Sequence, residues 1–183
     1  METGKILRKF KSEDGREVVL RTPRWDDLDG LLHYFNSLVR EDLDVLPERE
    51  EMTRAEEADW LGRRLAEMAK DEVIDVIAEV EGKVVANSEV IRGKGNWSHV
   101  GMLEWISITS GYRNVGIGTE IVRTLIEEAG RAGLKILVLR TFGNNRRAKH
   151  VYEKVGFRET GRIPKAFYRG SQYIDEVIMT MEI

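Results

Sequence analysis

The segment Arg113-Asn114-Val115-Gly116-Ile117-Gly118 constrains this chain more than any other. It follows a strand-like run, His99 to Thr109, and opens a helical one in which Ile117, Ile121, Val122, Leu125, Ile126 and Ala129 share a face. Gly133 stops that helix. Lys135 to Thr141 comes next, with the apolar run Ile136-Leu137-Val138-Leu139 that reads as a strand buried on both faces. Strand, loop, helix and buried strand form a βαβ crossover, which places the loop at the carboxyl end of a strand, where open α/β sheets bind ligands. Glycines there let the backbone approach a ligand closely. The free N–H groups of a first helical turn and the helix dipole favour an anion, and a pyrophosphate is the natural guest. Known phosphate loops fit poorly. Gly116-Ile117-Gly118-Thr119-Glu120-Ile121 lacks the third glycine of a dinucleotide fingerprint, and no G-x-x-x-x-G-K-S/T loop exists. Taken alone, the string equally describes a glycine turn before a helix.

The rest of the chain supplies a context of strands and helices. Glu17 to Arg21 reads as a short strand, and Thr22-Pro23 as an N-cap with proline at the first helical position. Leu28, Leu31, Leu32, Phe35, Leu38 and Val39 then recur at helical spacing. Thr53-x-x-Glu56 is a capping box for a second helix with the stripe Ala58, Leu61, Leu65 and Met68. Val73 to Val80 and Lys83 to Ile91 are strand-like and joined by the hairpin signal Glu81-Gly82. Asn145 to Lys154 reads as a short helix ended by Gly156, and strands at about Ile163 to Arg169 and Tyr173 to Met181 follow. The expected order is β-α-α-β-β-β-α-β-α-β-β. That is an α/β (α+β) fold with one mixed, mostly antiparallel sheet, a single parallel crossover and about four helices. No repeat or linker divides the 183 residues, which fit one domain.

Composition narrows the chemistry. There is no cysteine, so no disulfide, cysteine–zinc site or thiol nucleophile is available. The three histidines, His33, His99 and His150, lack metal-ligand spacing, and no metal is expected. No run approaches the ~18 apolar residues of a membrane span, and the first residues lack the apolar core of a signal peptide. We therefore expect a soluble cytoplasmic protein with no membrane partner. The net charge of −3 disfavours a general nucleic-acid binder. Nine acids stand between Glu41 and Asp59 against Arg49 and Arg54. They read as a solvated surface or, more sharply, as an acidic rim that attracts a cationic acceptor.

A second motif lies downstream: Asn145-x-x-Ala148-x-x-x-Tyr152, followed by Gly156-Phe157. With Arg113 to Gly118, matching Gln/Arg-x-x-Gly-x-Gly/Ala, it makes the chain resemble the GNAT superfamily of acyl-CoA-dependent N-acetyltransferases. The resemblance runs from about Glu17 onward and is sharpest from Ile106 to Phe157. It implies one N-acetyltransferase domain over 1–183, with a motif core at about 100–157 and acceptor-side helices at about 23–70. It also implies acetyl-CoA as co-substrate. Ile106, Ser107 and Ile108 would pair through their backbones with pantetheine. Arg113, Asn114, Val115, Gly116, Ile117, Gly118 and Thr119 would form the pyrophosphate loop. Asn145 would hydrogen-bond the pantetheine arm, with Ala148 beside it. Cofactor and acceptor would meet where two strands splay apart.

For catalysis the resemblance implies Tyr152, a phenol able to protonate a departing thiolate at neutral pH. A core tyrosine on a short helix is the alternative. Glu104 is the candidate base. If its strand is regular, it shares a face with Val100, Met102, Ile106 and Ile108, and a carboxylate in an apolar row has a raised pKa. A structural ion pair, or a bulge that turns Glu104 to solvent, fits equally well. One departure stands out. The branch acting on a ribosomal-protein N-terminal alanine carries a glutamate base five residues before the motif asparagine, and here that position is Arg140. The basic cluster Arg146, Arg147, Lys149 and His150 suits a solvated face or the 3′-phosphate of CoA better than nucleic acid. Tyr168, Tyr173 and Asp175 fit either an acceptor site or an ordinary hairpin.

The expected reaction is direct transfer of acetyl to a primary amine of a protein N-terminus, a polyamine or an amino-acid-like molecule. Two rivals stay open: a non-catalytic acyl-CoA-binding sensor of the same fold, and a ribosome- or RNA-associated protein using Arg146 to Lys149. A homodimer also stays open.

Overall fold

The computed structural model describes residues 1–41 and 50–183. Eight strands form one sheet in the order β1-β2-β3-β4-β5-β6-β8-β7. They are β1 (Ile6–Lys11), β2 (Glu17–Arg21), β3 (Val73–Val80), β4 (Lys83–Arg92), β5 (Val100–Ile108), β6 (Ile136–Phe142), β7 (Arg158–Arg169) and β8 (Gln172–Glu182). Among these, β5 and β6 are the one parallel pair, and every other ladder is antiparallel. The helices are α1 (Leu28–Arg40), α2 (Arg54–Ala69), α3 (Ile117–Arg131) and α4 (Arg146–Lys154). The expected architecture is thus present, with one added strand, β1. That strand, Ile-Leu-Arg-Lys-Phe-Lys, mixes apolar and charged residues on the sheet edge and pairs with β2.

Strand alternation splits the core in two. Ile74, Val76, Ala78 and Val80 of β3 face the cluster under α3, with Leu103, Ile121 and Leu125. Ile77 points to the opposite face and packs with Leu28, Leu31, Leu38 and Leu61 of α1 and α2. The α2 start is as expected: Thr53 accepts from the Glu56 N–H and the Glu56 carboxylate accepts from the Thr53 N–H. The α1 start is not. Thr22 caps no helix, since its hydroxyl donates to the Glu2 carbonyl and accepts from the Lys5 N–H. The chain stays extended to Arg24, and Asp27 accepts from the Arg24 N–H and twice from buried Arg21, at 2.7 Å each. This buried pair delays the helix to a short turn at Trp25–Asp27.

Two further expectations need correction. β6 is parallel to β5, but it alternates: Leu137, Leu139 and Thr141 are buried while Arg140 is exposed, because α1 and α2 cover β3 and β4 and do not reach it. β7 starts at Arg158, five residues before the expected Ile163, and carries register shifts between Glu159 and Gly161 and between Ile163 and Phe167. No helix among the described residues is long and apolar enough to cross a membrane.

Candidate active site

The strand that leads into the site is irregular. Between the pairs Glu89↔Glu104 and Asn87↔Ser107, β4 holds one residue and β5 holds two, Trp105 and Ile106. This is a β-bulge, and Trp105 takes a left-handed φ of 59° to form it. Of the alternatives for Glu104 the bulge is the one present, and Glu104 does not share a face with Ile106 and Ile108 as it would on a regular strand. The bulge resets the alternation, so Ile106 and Ile108 join Leu103 against the cluster under α3. A tyrosine on α1 closes the same point. The Tyr34 hydroxyl donates to the Ser107 carbonyl at 2.9 Å and accepts from the Asn87 N–H at 3.1 Å, bridging the two strands. Full burial pushes this phenol well above its usual range.

Beyond Ile108 the loop is held in place by its neighbours. The Arg113 guanidinium donates to the Ile108 carbonyl at 2.6 Å and to Glu41, and Glu41 also accepts from the Ser110 N–H. The β1–β2 turn props the far side, where the Glu13 N–H donates to the Val115 carbonyl. Asn114 and Gly116 adopt left-handed φ values of 62° and 88°. The N–H groups of the first turn of α3 have no partner within the helix, and no side chain among the described residues caps it. A Cβ on Gly118 would sit 3.2 Å from the Ile108 side chain, so glycine there sets how closely helix and strand approach. The amides open onto a cavity of about 520 Å³, bordered by Ile106, Ser107, Ile108, Arg113, Asn114, Gly116, Gly118 and Thr119 on one side and Asn145, Ala148 and Tyr152 on the other. Val115 and Ile117 turn inward and pack in the core. Arg147 and His150 border the cavity, whereas Lys149 pairs with Glu159. The Asn145 side-chain oxygen caps α4 by accepting from the Ala148 N–H, which leaves its amide nitrogen for a ligand.

Tyr152 is only 8% exposed, and its burial pushes the phenol up to about 12. It also borders a second cavity of about 510 Å³, between β5 and β6, with Glu104, Ser107, Arg140 and Glu176. Arg140, in the position where the related branch has a glutamate, faces Glu176 at 3.3 Å. Asp175 is engaged in the hairpin, accepting from the Lys165 N–H and from Arg162. Tyr168 and Tyr173 lean on each other, exposed, with centroids 5.0 Å apart.

A third cavity, of about 290 Å³, lies between α1, α2, β4 and β5. It contains acidic groups that sequence reasoning missed. Glu57 is 3% exposed and pushed up to about 7 by desolvation. Glu89 is buried and pushed up to about 8 by desolvation and then by Asp75, with Arg64 opposing. Glu57 had appeared only as one of a run of acids, and Glu89 as one residue of a strand, so neither carried a local signal. Ser107 borders all three cavities, which makes it their junction. Among the described residues no His, Asp and Glu group is arranged to hold a metal.

The family model described as acetyltransferase (GNAT) family matches residues 33–157, over half of the chain. The chain belongs to this family. A curated relative, the "probable N-acetyltransferase camello" of Xenopus tropicalis, is 32% identical over 84 residues. Those residues are 46% of this chain and 38% of that protein, so the chain spans well under half of that relative's length. Two solved structures share the fold. Ribosomal-protein-S5-alanine acetyltransferase from Vibrio fischeri aligns with a TM-score of 0.83 at 17% identity, covering 96% of each chain. The microcin C7 self-immunity acetyltransferase MccE, solved with acetyl-CoA and AMP, aligns with a TM-score of 0.77 at 15% identity, covering 91% of this chain and 92% of that one.

Proposed function

We propose that this protein moves an acetyl group from acetyl-CoA directly onto a primary amine. The observation that carries this reading is the continuous cavity from the uncapped amides of α3 to the buried phenol of Tyr152. Its residues fit an acyl-CoA. The α3 amides and the left-handed Asn114 and Gly116 form an anion cradle at one end. Arg147 and His150 offer positive or hydrogen-bonding groups near that end. The Asn145 amide and the bulged β5 edge offer hydrogen bonds along the middle. When bound, acetyl-CoA supplies an acetyl group already activated as a thioester. The chain's part is to position it and to handle two protons. A carboxylate facing the junction, Glu104 or Glu89, takes a proton from the acceptor ammonium and frees its lone pair to form the C–N bond. As the C–S bond breaks, the nitrogen gives up its second proton to water, the Tyr152 hydroxyl gives its proton to the sulfur and regains one from water, and the carboxylate returns its proton to solvent, so an ammonium and a thioester yield an amide, a thiol and one released proton.

Calorimetry with acetyl-CoA, followed by mass detection of an acetylated amine, tests the reading. Absence of acetyl-CoA uptake overturns it. Tyr152→Phe is expected to lower kcat by about 10²–10⁴-fold with acetyl-CoA affinity within about twofold of the parent. Unchanged turnover would remove Tyr152 from the mechanism.

A further inference from the structure

The smallest of the three cavities shows what kind of amine the site is shaped for. Its walls are apolar and largely aromatic: Leu31, Tyr34, Phe35 and Leu38 from α1, Trp60 from α2 and Trp105 from the bulge. Set into them is Glu57, only 3% exposed, whose carboxylate has no hydrogen-bond or ion-pair partner among the described residues. Farther along the same helix, Arg64 lies 2.5 Å from Glu89 and 3.3 Å from Asp75, yet Arg64 Nε, Asp75 Oδ2 and Glu89 Oε2 are all without hydrogen bonds. Two buried carboxylates, Asp75 and Glu89, therefore share one guanidinium, and a third, Glu57, has none. Burying such an excess of negative charge is costly unless a cation joins it.

We infer that this cavity takes a compact primary amine carried on an apolar, preferably aromatic, skeleton without a carboxylate, its ammonium seated between Glu57 and Glu89. The inference rests on the proposed transfer in placing the amine at the Ser107 junction, and it goes further by naming the acceptor class. Charge sets the first requirement, since an ammonium supplies the missing positive partner. The walls set the second. Seven of the twelve bordering side chains are Leu, Phe, Tyr, Trp or Met beyond the junction itself: Leu31, Tyr34, Phe35, Leu38, Met52, Trp60 and Trp105. These reward burial of apolar surface and allow cation–π contact. Size sets the third, because about 290 Å³ holds roughly ten non-hydrogen atoms at the packing of liquid water. The excluded group follows from Arg64. It is the one cation bordering the cavity among the described residues, and it is already within ion-pair reach of Glu67, Asp75 and Glu89. An acceptor carboxylate would enter beside carboxylates with no free cation to meet it.

Calorimetry without acetyl-CoA reads this directly, using 2-phenylethylamine, L-phenylalanine, 2-phenylethanol and spermidine on the wild-type protein. The inference expects 2-phenylethylamine to bind at least about 30-fold more tightly than each of the others. It also expects Glu57→Gln, which keeps the shape of the side chain, to weaken 2-phenylethylamine by about tenfold or more. Equal or tighter binding of phenylalanine, phenylethanol or spermidine overturns it, as does a folded Glu57→Gln variant of unchanged affinity. The ligand comparison needs no variant, so it decides the matter even if Glu57→Gln fails to fold. A parallel acetyl-transfer assay separates the two readings. Selective binding of 2-phenylethylamine with no acetyl transferred to any amine leaves this inference standing and defeats the proposed function. Preferred acetylation of spermidine or phenylalanine does the reverse.

Discussion

The two sides of the junction at Ser107 are built from different materials. On the proposed cofactor side the groups are backbone amides, and the demand on sequence is conformational: left-handed φ at Asn114 and Gly116, and a Cβ-free approach of Gly118 to Ile108. On the acceptor side the working groups are side chains, namely Tyr34 of α1, Glu57 of α2, Glu89 of β4 and Trp105 of β5. A demand on backbone conformation must be met by neighbouring residues, so it leaves a contiguous motif. A demand on a cavity wall is met by any element that passes it, so it leaves residues at no fixed spacing. The family resemblance is accordingly sharp over one half of the reaction centre and nearly silent over the other.

The comparison breaks most forcibly at Gly116. Its φ of 88° costs an L side chain about 1–2 kcal/mol, and a valine there would also press on Glu13 and pull the amides off line. Gly116→Val is expected to weaken acetyl-CoA by at least about 30-fold in calorimetry while leaving 2-phenylethylamine affinity within about twofold. Equal losses on both would show that the two sides do not act separately.

The acceptor side is sharpened by pH. Glu57 goes from an ordinary 4.5 to about 7 on folding, so between those values the folded state holds a proton that the unfolded chain releases. Stability therefore falls as pH rises through that window. At one pKa unit per ~1.4 kcal/mol, the loss is at most about 3.5 kcal/mol above pH 8. Glu89 and Asp75, pushed up to about 8 and about 6, extend the slope to either side, with Arg64 opposing both. Thermal melts should fall from pH 5 to 8, and Glu57→Gln should flatten the curve near pH 6–7. A wild-type melt that rises through this range would contradict the buried, unpartnered state of Glu57.

Tyr34 joins the two sides, and its removal tests the bridge. Tyr34→Phe leaves the Asn87 N–H and the Ser107 carbonyl without the hydroxyl between them. An unsatisfied buried pair costs about 1–3 kcal/mol, so the melt should drop by roughly 4–8 °C for about 2 kcal/mol. Both ligands should then lose affinity together, unlike in Gly116→Val.

The same contrast explains how much of the molecule was legible in its sequence. The capping box at Thr53, the turn at Glu81-Gly82 and the Gly116 and Gly133 boundaries are local devices, and each lies where expected. The failures involve partners distant in sequence. Thr22 looked like a cap, but Arg21 binds Asp27 and Glu79, and this fixes a later start for α1. Glu104 stood open between a carboxylate on a regular strand, an ion pair and a bulge; the bulge is what the strand has, and the carboxylate whose pKa burial raises is its cross-strand neighbour Glu89. The place of Tyr152 and the loop on one cavity wall was legible because the motif carries them, whereas the place of Glu57 was hidden in a run of acids.

That run gives the smallest expected effect. Asp42, Asp44, Glu48 and Arg49 lie outside the described residues. Of the others, Glu41 holds Arg113 and Ser110, Glu51 holds Arg40, and Glu56 completes the α2 capping box, so three of the acids have structural partners. Glu57 alone borders the acceptor cavity. If the acids act one by one, Glu51→Gln should change the KM for 2-phenylethylamine by less than about twofold, equally at low and high salt. If they act as a steering field, the same substitution should raise KM at low ionic strength, and the difference should vanish at about 0.5 M salt, where the screening length falls below ~5 Å. A salt-dependent effect at Glu51 would extend the acceptor site from its cavity to the acidic surface around it.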